Sequence, residues 1–233
     1  MPRVTRHEDG RGEILRAAAT LLATHGYHGM SMRDLSRSTN MSLANLYNYF
    51  GSKEELAFDL QIHALETLVA SARETTAGAA GGEARLHAFI LGHVRYVASH
   101  PEVMRVLVEE AGALPPERRR ALREIKEQYF ALGREIVGSV VQRSRSHAGS
   151  AAADPRELDR ATYSIFGMLN WVYGWYDAAR HGDAHEVART IHRIAMSGLV
   201  ARSPTRSSQA ATERLVSRVR VRSPIRASRG RTR

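Results

Sequence analysis

The amino-acid sequence predicts an all-α protein with about nine helices. Apolar residues recur at intervals of three and four along most of the chain, and the alternation typical of a strand occurs only at residues 216–221. Prolines, glycines and runs of small residues interrupt the helical pattern and indicate where helices end. The chain therefore divides into three short helices in residues 1–56, a larger helical body in residues 57–201 and an arginine-rich segment, residues 202–233, that we expect to be disordered.

The first three helices are short and closely spaced. One face of the first carries Ile14, Ala18 and Leu22, and Gly26 is expected to end it. The second and third are separated by a tight polar turn. We predict the three helices over residues 11–25, 32–38 and 43–49.

A fourth helix begins near Lys53 and continues into the 70s. Ser52 and Glu55 form a capping-box pattern, in which the hydroxyl accepts from an amide of the first turn and the carboxylate accepts from the Ser52 amide. Residues 75–82 have no anchoring side chain and predict a flexible connector. Five further helices are predicted over residues 83–99, 102–111, 116–146, 155–180 and 184–201.

Composition excludes several classes of protein. The chain contains no cysteine, which excludes disulfides, thiolate catalysis and cysteine-ligated zinc. No apolar run approaches the roughly 18 to 20 residues that span a bilayer, and the first residues lack the apolar run of a secretory signal. We therefore expect a cytoplasmic protein without a membrane partner.

The formal charge of +10 suggests nucleic acid as a partner, but the charge is unevenly placed. Ten arginines and one glutamate give residues 202–233 a charge of +9, so residues 1–201 carry only +1. Residues 1–60 contain seven basic and seven acidic side chains and are formally neutral. Any DNA-binding role of the N-terminal helices must therefore be inferred from residue pattern.

The N-terminal pattern is that of a helix-turn-helix. Two short helices joined by a tight turn need a third helix behind them to bury their apolar faces, and one precedes them. Asn40 lies in the turn, where it can adopt the left-handed conformation. Leu35, Met41 and Leu46 are positioned to pack inward. In this motif the second short helix enters the major groove of DNA.

Several polar residues of the helix-turn-helix segment lie where DNA contacts are expected. Helix N-termini carry unpaired amides and partial positive charge, and cations and phenols near them add to phosphate binding. We expect phosphate contacts from Ser31, Arg33, Ser42, Tyr47, Tyr49 and Lys53. Asparagine can pair with adenine, and an apolar side chain can contact the thymine methyl. We expect base contacts from Ser42, Leu43, Ala44, Asn45 and Asn48.

About 45 consecutive residues resemble the TetR-type DNA-binding domain. The resemblance rests on Ile14-Leu15, Ala18, Gly26-Tyr27, Ser31-Met32-Arg33-Asp34-Leu35, Asn40-Met41-Ser42, Leu46-Tyr47-Asn48-Tyr49-Phe50 and Ser52-Lys53-Glu54-Glu55-Leu56. It implies that Tyr47, Tyr49 and Lys53 clamp phosphates and that the helix from Ser42 reads bases. Asn40 replaces the usual glycine, and Leu43 replaces a frequent lysine or arginine, which bears on operator preference. The alternative is that these are three packed helices, with Leu35, Leu46, Phe50 and Leu56 in their core.

The resemblance also implies a homodimer, because operators are normally read by two-fold dimers. In the TetR-type arrangement the last two long helices pair with their copies in a four-helix bundle. Val187, Ile191 and Ile194 recur near helical spacing in residues 184–201, and Ala195 and Gly198 permit close approach.

The helix predicted over residues 155–180 carries the densest aromatic cluster of the chain. Trp171 and Trp175 are four residues apart and are expected to share one helix face. Asn170-Trp171 followed by Trp175-Tyr176 resembles the corresponding helix of acyl-CoA-responsive TetR members, which implies a ligand nearby; dimer core is the alternative. The candidate ligand-binding residues are Phe89, His93, Tyr96, Phe130, Asn170, Trp171 and Trp175, with Met104 and Tyr129 as further candidates for the pocket wall.

Motifs of enzymes are missing from the sequence. His181 and His185 are four residues apart but flank a glycine, and there is no phosphate-binding loop or nucleophile elbow. We therefore expect no catalytic residue, metal or cofactor. The sequence predicts a DNA-binding transcriptional regulator, a repressor released from a palindromic operator by a small hydrophobic or acyl-CoA-type effector. The alternative is a non-specific nucleic-acid-binding protein that uses the arginine-rich segment.

Overall fold

A computed structural model describes residues 3–109, 114–147 and 154–200, with side chains from Gly10 onward except that of His147. These residues form ten α-helices and one short 3-10 helix, which confirms the predicted all-α class. The α-helices are α1 (Arg3–Gly29), α2 (Met32–Thr39), α3 (Leu43–Tyr49), α4 (Lys53–Ala77), α5 (Gly82–Ser99), α6 (Pro101–Glu109), α7 (Pro116–His147), α8 (Pro155–Asn170), α9 (Ala178–His181) and α10 (Ala184–Val200), and the 3-10 helix is Val172–Gly174.

Helices α1, α2 and α3, with the first turn of α4, bury a common apolar core. Its central side chains are at most 1% exposed, and burying a large apolar side chain contributes roughly 1.5–3 kcal/mol. This core stabilises helices that are too short to be stable in isolation. Its members include Ile14, Ala18, Leu22, Leu35, Leu46, Phe50 and Leu56.

Gly26 interrupts α1, as predicted. Its backbone angles (φ 69°, ψ 170°) lie outside the helical region, in a conformation that glycine adopts without a steric penalty. The amide of Met30 donates to the Gly26 carbonyl (3.2 Å) and closes the following turn. The predicted start near residue 11 was wrong, because α1 begins at Arg3.

Helix α4 joins the N-terminal helices to the body. It packs against α1 and then against α5 and α7, and α6 lies across α1. Helix α5 is central to the body and contacts α4, α7 and α10. Because α4 continues without a break through residues 56 and 57, the N-terminal helices and the body share one rigid element.

The connector after α4 is shorter than predicted. Helix α4 extends to Ala77, so only residues 78–81 link it to α5. Thr76 is 3% exposed, and its hydroxyl donates to the Ala72 carbonyl (2.6 Å). This side chain anchors a segment in which the sequence suggested no anchor.

The single helix predicted over residues 155–180 was also wrong. Helix α8 ends at Asn170, and the 3-10 helix and α9 follow. Asp177 begins α9 by accepting a hydrogen bond from the Ala179 amide (2.9 Å), which favours a new helix start at that point. Trp171 and Trp175 consequently lie beyond the end of α8 and do not share a helix face.

Half of the predicted capping box of α4 is present. The Ser52 hydroxyl accepts from the Glu55 amide (3.0 Å), but the Glu55 carboxylate accepts from the Gly51 amide (3.0 Å) instead of that of Ser52. None of the described helices combines the length and the apolar character needed to cross a membrane. Residues 202–233, including the alternating segment at 216–221, lie outside the described residues.

Candidate nucleic-acid interface and ligand cavity

The turn between α2 and α3 has the backbone that a helix-turn-helix requires. Asn40 is left-handed (φ 53°, ψ 30°), and its amide donates to the Ser36 carbonyl. The Ser36 hydroxyl donates to the Met41 carbonyl (2.6 Å). Ser42 then begins α3, and its hydroxyl accepts from the Asn45 amide (3.1 Å). These hydrogen bonds fix the direction of α3 relative to α2.

Helix α3 presents one face to the core and the other to solvent. Leu46 is fully buried, and Leu43 is half-buried against the core, so only part of the Leu43 side chain is accessible. Five of the predicted DNA-contacting residues are exposed on or beside α3: Ser42, Ala44, Asn45, Tyr47 and Asn48. The major groove of DNA is wide enough to admit an α-helix, so the exposed face of α3 is suited to contact base edges there.

The two predicted phenols have different surroundings. Tyr47 is 49% exposed. Tyr49 is half-buried, and its hydroxyl lies against Gly10 of α1, where a Cβ atom would be 2.6 Å from the Tyr49 Oη. The absence of a side chain at Gly10 therefore allows Tyr49 to pack at this position.

Lys53 is held by the end of α1. Its Nζ donates to the carbonyls of Tyr27 (2.8 Å) and Met30 (3.0 Å) and lies 4.5 Å from the centroid of the Tyr27 ring. A lysine has three N–H groups, so these contacts use two of them. The sequence did not indicate this role. A phosphate contact by Lys53 stays a prediction.

Ser31 and Asp34 form a reciprocal capping box on α2. Asp34 Oδ2 accepts from the Ser31 amide (2.9 Å) and hydroxyl (2.6 Å), and the Asp34 amide donates to Ser31 Oγ (3.2 Å). These hydrogen bonds and the paired Arg37 guanidinium lower the pKa of Asp34 to about 2. Arg33, on the same helix, is exposed. Arg33 and Ser31 remain predicted phosphate contacts, with the Ser31 hydroxyl already engaged in capping.

A cavity of about 560 Å³ lies in the body between α4, α5, α6, α7 and α8. Its volume is within the range of small-molecule sites. Five residues predicted as ligand contacts or pocket wall line it: His93, Met104, Tyr129, Phe130 and Asn170. The sequence did not indicate the other lining residues, because they come from four different helices: Leu65, Leu68, Leu107, Val108, Arg123, Lys126, Glu127, Tyr163 and Phe166.

Aromatic rings extend from the surface to the interior of this cavity. Exposed Tyr163 lies 4.3 Å from Phe130, which lies 5.5 Å from Phe166, as measured between ring centroids. Phe166 in turn contacts Tyr129 (5.5 Å). Gly133 of α7 makes room for the Phe166 ring, since a Cβ there would lie 2.8 Å from a ring carbon.

His93 and Tyr129 form a buried polar pair in the cavity wall. His93 Nδ1 lies 3.0 Å from the Tyr129 hydroxyl, and the rings are stacked at 5.9 Å. His93 Nε2 is buried and has no hydrogen-bond partner among the described residues. Burial lowers the pKa of His93 to about 4 and raises that of Tyr129. Both side chains are therefore neutral near pH 7.

Charged residues of α7 lie at one side of the same cavity. Arg123, Lys126, Glu127 and Phe130 recur at intervals of three and four, so they share one helix face. The Lys126 ammonium donates to the Leu107 carbonyl (3.1 Å), and burial lowers its pKa. The cavity therefore has an aromatic interior and a charged rim.

A second, open groove lies between the end of α8 and α10. Both tryptophans line it, together with Met168, Val187, Ile191 and Ile194. Trp171 is 61% exposed and Ile194 is 53% exposed, which is unusual for large apolar side chains on one surface. This groove, and not the cavity, contains the tryptophans predicted as ligand contacts.

Two predicted ligand contacts line neither space. Phe89 is 1% exposed and packs against Tyr129 and Phe166 (5.1 and 5.8 Å) behind the cavity wall. Tyr96 stacks on His100 (4.6 Å), and burial raises its pKa to about 12. Among the described residues there is no cluster of three or more side chains suited to a metal ion.

An ion pair connects α7, the helix that supplies part of the cavity wall, to the start of α4. Arg118 Nε of α7 lies 3.1 Å from Glu54 Oε1, and its guanidinium lies 5.0 Å from the centroid of the Phe58 ring. Glu54 follows Lys53, the residue that holds the end of α1. Contacts therefore run from α7 through α4 to the N-terminal helices.

Known proteins similar to this chain include helix-turn-helix transcriptional regulators. KstR2, an HTH-type transcriptional repressor of Rhodococcus jostii, is 28% identical over 192 residues, covering 81% of this chain and 90% of the relative. KstR2 of Mycobacterium tuberculosis is also 28% identical, over 109 residues that make up 47% of this chain. In this match the chain spans about half (54%) of the relative's length.

Solved structures share the fold. The TetR-family regulator PfmR of Thermus thermophilus is 28% identical, with a TM-score of 0.69 over 81% of this chain and 99% of that chain. AibR, solved in complex with isovaleryl coenzyme A and operator DNA, is 21% identical, with a TM-score of 0.68 over 79% of this chain and 97% of that chain.

Two family profiles match the chain. Residues 14–60 match the bacterial regulatory proteins of the tetR family, and residues 79–199, just over half of the chain, match the tetracyclin repressor-like C-terminal domain. The two matches cover the helix-turn-helix and the cavity-bearing body. The chain therefore belongs to the TetR family, whose members are DNA-binding transcriptional regulators and not enzymes.

Proposed function

We propose that this protein is a homodimeric repressor that leaves its operator when an amphipathic effector, such as an acyl-CoA, enters the body cavity. The observation that carries the proposal is the placement of α4. Its first residues pack behind the helix-turn-helix, and its middle residues Leu65 and Leu68 line the cavity. A ligand that changes the position of α4 would therefore change the position of α3.

DNA binding is assigned to residues 1–56. The exposed face of α3 would read bases through Asn45 and Asn48, and Tyr47 would contact phosphate. The orientation of α3, fixed by the Asn40 turn and the Ser42 cap, supports this assignment. Helix N-termini and phenols position a protein on the duplex, whereas side chains in the groove select sequence.

Effector binding and dimerisation are assigned to residues 57–201. The cavity offers an aromatic interior for an apolar group, and Arg123 and Lys126 offer positive charge for an anionic group. That AibR was solved with isovaleryl coenzyme A favours an acyl-CoA for a related cavity. The open groove with Trp171, Trp175 and Ile194 would be covered by the same groove of a second copy, since a two-fold interface uses one surface twice.

An effector can release the operator only if it binds the two conformations of the protein unequally. In the proposed mechanism the effector separates α7 and α6 from α4, and the two α3 helices of the dimer no longer match successive major grooves. Half-sites one helical turn apart, about 34–36 Å, tolerate little change in this separation.

A gel-shift and footprinting series on DNA upstream of the protein's own gene tests the proposal. We expect protection of a palindromic site that is lost when isovaleryl-CoA or a longer acyl-CoA is added, whereas free coenzyme A has no effect. Failure to protect any upstream site would overturn the DNA-binding part. Protection that no acyl-CoA relieves would overturn the effector part alone.

A further inference from the structure

The cavity wall contains a buried histidine, one of whose ring nitrogens has no hydrogen-bond partner among the described residues. His93 is 2% exposed and lines the cavity together with aromatic, aliphatic, charged and amide side chains. Its Nδ1 is engaged by the Tyr129 hydroxyl, whereas its Nε2 has no partner among the described residues. A buried polar atom without a partner is costly to a folded protein, so its retention in a ligand cavity indicates a partner supplied by the ligand.

The protons available to the His93–Tyr129 pair determine whether Nε2 is a hydrogen-bond donor or acceptor. A phenol has one proton and needs an acceptor, and Nδ1 is the partner that the structure provides for the Tyr129 hydroxyl. If Tyr129 donates to Nδ1, the ring proton of neutral His93 is on Nε2 and only that N–H remains unsatisfied. The opposite tautomer would leave both the phenol proton and Nε2 without partners. The structure therefore favours Nε2–H as a donor.

From this geometry we infer that His93 is a specificity-determining residue that donates an Nε2–H hydrogen bond to a neutral carbonyl oxygen within the apolar part of the effector. The inference rests on the proposed effector function. For an acyl-CoA, the carbonyl is that of the thioester. Tyr129 is a positioning residue, because it holds the His93 ring and its tautomer without touching the carbonyl.

A neutral carbonyl fits the surroundings better than an anion does. Burial disfavours the charged form of His93 and keeps the ring a neutral donor. The cations Lys126 and Arg123 lie about one and two helical turns along α7 from Tyr129, which is roughly 4.5 and 9 Å of helix rise. An anionic group of the effector has a better position there than beside His93.

The test compares each acyl-CoA with its S-alkyl thioether, in which a CH₂ group replaces the carbonyl. Isovaleryl-CoA and palmitoyl-CoA are titrated against the full-length protein by calorimetry, each beside its own thioether. We expect the native protein to bind a thioester about tenfold to a hundredfold more tightly than its thioether, because the thioether leaves Nε2–H buried and unpaired.

Three variants assign this discrimination to His93. His93→Phe should bind thioester and thioether with equal affinity. His93→Gln carries an amide N–H near the position of Nε2 and should keep most of the preference. Tyr129→Phe should reduce the preference, because the ring loses the partner that fixes its tautomer. Phe130→Leu is the matched control from the same cavity, and it should weaken both ligands alike.

The outcomes separate this inference from the function on which it rests. Binding of both ligands with equal affinity by the native protein would overturn the inference and leave the acyl-CoA proposal standing. So would a preference that survives in His93→Phe. Should His93→Phe not fold, as judged by circular dichroism, His93→Leu takes its place, and a preference that survives in that variant overturns the inference in the same way. If neither thioesters nor thioethers bind, the acyl-CoA proposal fails, and the inference fails with it.

Discussion

At the scale of single residues, the N-terminal helices present polar side chains for DNA contact although the segment is formally neutral. Several polar side chains are used within the protein before any DNA arrives: Ser31 caps α2, Ser42 caps α3 and Lys53 holds the end of α1. Tyr47 is different, because its side chain is exposed and its hydroxyl makes no hydrogen bond among the described residues. We therefore expect the hydroxyl of Tyr47 to contribute more to DNA affinity than those of the capping serines.

Replacing Tyr47 by phenylalanine tests this expectation. A hydrogen bond to a charged group contributes roughly 1.5–3 kcal/mol, and solvent exposure lowers that value, so we expect operator affinity to fall about tenfold. Sequence preference should not change, because phosphate contacts carry no sequence information. Fluorescence anisotropy with operator and single-base variants provides the measurement. Tyr176→Phe in the body is the control, and a changed base preference in Tyr47→Phe would contradict the assignment.

The buried imidazole of His93 makes stability depend on pH. Its pKa is about 4 in the folded protein and 6.5 in an unperturbed histidine. Because the folded pKa is depressed, the unfolded chain binds the proton more readily as the pH falls. The contribution is complete above pH 6.5 and is lost progressively between pH 6.5 and 4, by up to about 3 kcal/mol.

Urea unfolding at pH 7, 5.5 and 4.5 measures this loss. His93→Gln, which cannot titrate, should show a free energy of unfolding that changes less with pH than that of the native protein. The burial of His87 also lowers its pKa, so part of the acid sensitivity should remain in the variant. Identical pH profiles for the two proteins would show that folding does not lower the pKa of His93.

At the scale of secondary-structure elements, α7 forms a wall of the cavity and also touches the start of α4. The Arg118–Glu54 pair is partly exposed, with side chains 27% and 37% exposed, and pairs of this kind contribute little to stability. A contact that contributes little to folding can still differ between two conformations. We expect it to transmit movement of α7 to α4 when the effector binds.

Replacing Arg118 by methionine should therefore alter regulation more than folding. Coupling energies between sites are typically 1–3 kcal/mol, and we expect the ratio of operator Kd values with and without isovaleryl-CoA to fall by roughly threefold or more. The melting temperature should change little. Arg119→Met, an exposed neighbour on α7, is the control. An unchanged ratio in Arg118→Met would show that coupling passes elsewhere, for example through α6 and α1.

Sequence reasoning succeeded where local chemistry decides the structure. The left-handed Asn40, the break at Gly26 and the cap at Ser52 depend on residues close in sequence, and each was predicted. The break after Asn170 was missed, because apolar residues continue at helical spacing while tertiary packing and the Asp177 cap redirect the chain. The cavity was predicted only in part, since its wall is assembled from five helices whose crossing positions no local pattern specifies.

At the scale of the whole molecule, the exposed groove of α8 and α10 is the surface that a second copy should cover. Ile194→Glu would place a charge in the proposed interface, and we expect a shift from dimer to monomer in analytical ultracentrifugation, with operator affinity falling at least tenfold because one half-site binds weakly alone. Ala70→Glu, at an exposed position of α4, is the control. A dimer that persists in Ile194→Glu would place the interface elsewhere.

The distribution of charge over the whole chain separates two ways of binding DNA. Residues 202–233 carry +9 of the +10 formal charge, whereas the segment that we assign to base reading is neutral. Arginines that neutralise phosphates raise affinity for any DNA and make it depend steeply on salt, with a slope of about 0.9 per phosphate in a plot of log affinity against log salt concentration. Charge and sequence selection should therefore be separable.

Deleting residues 203–233 should lower affinity for random DNA and flatten the salt dependence, while the operator footprint and its base preference persist. A variant of full length with the ten arginines of residues 202–233 replaced by glutamine should behave in the same way, because charge and not length is responsible. Anisotropy titrations between 50 and 200 mM salt, with operator and scrambled DNA, make the comparison at roughly the range in which phosphate contacts change affinity most. Disappearance of the operator footprint with the arginines would transfer recognition from α3 to this segment and favour the non-specific nucleic-acid-binding alternative.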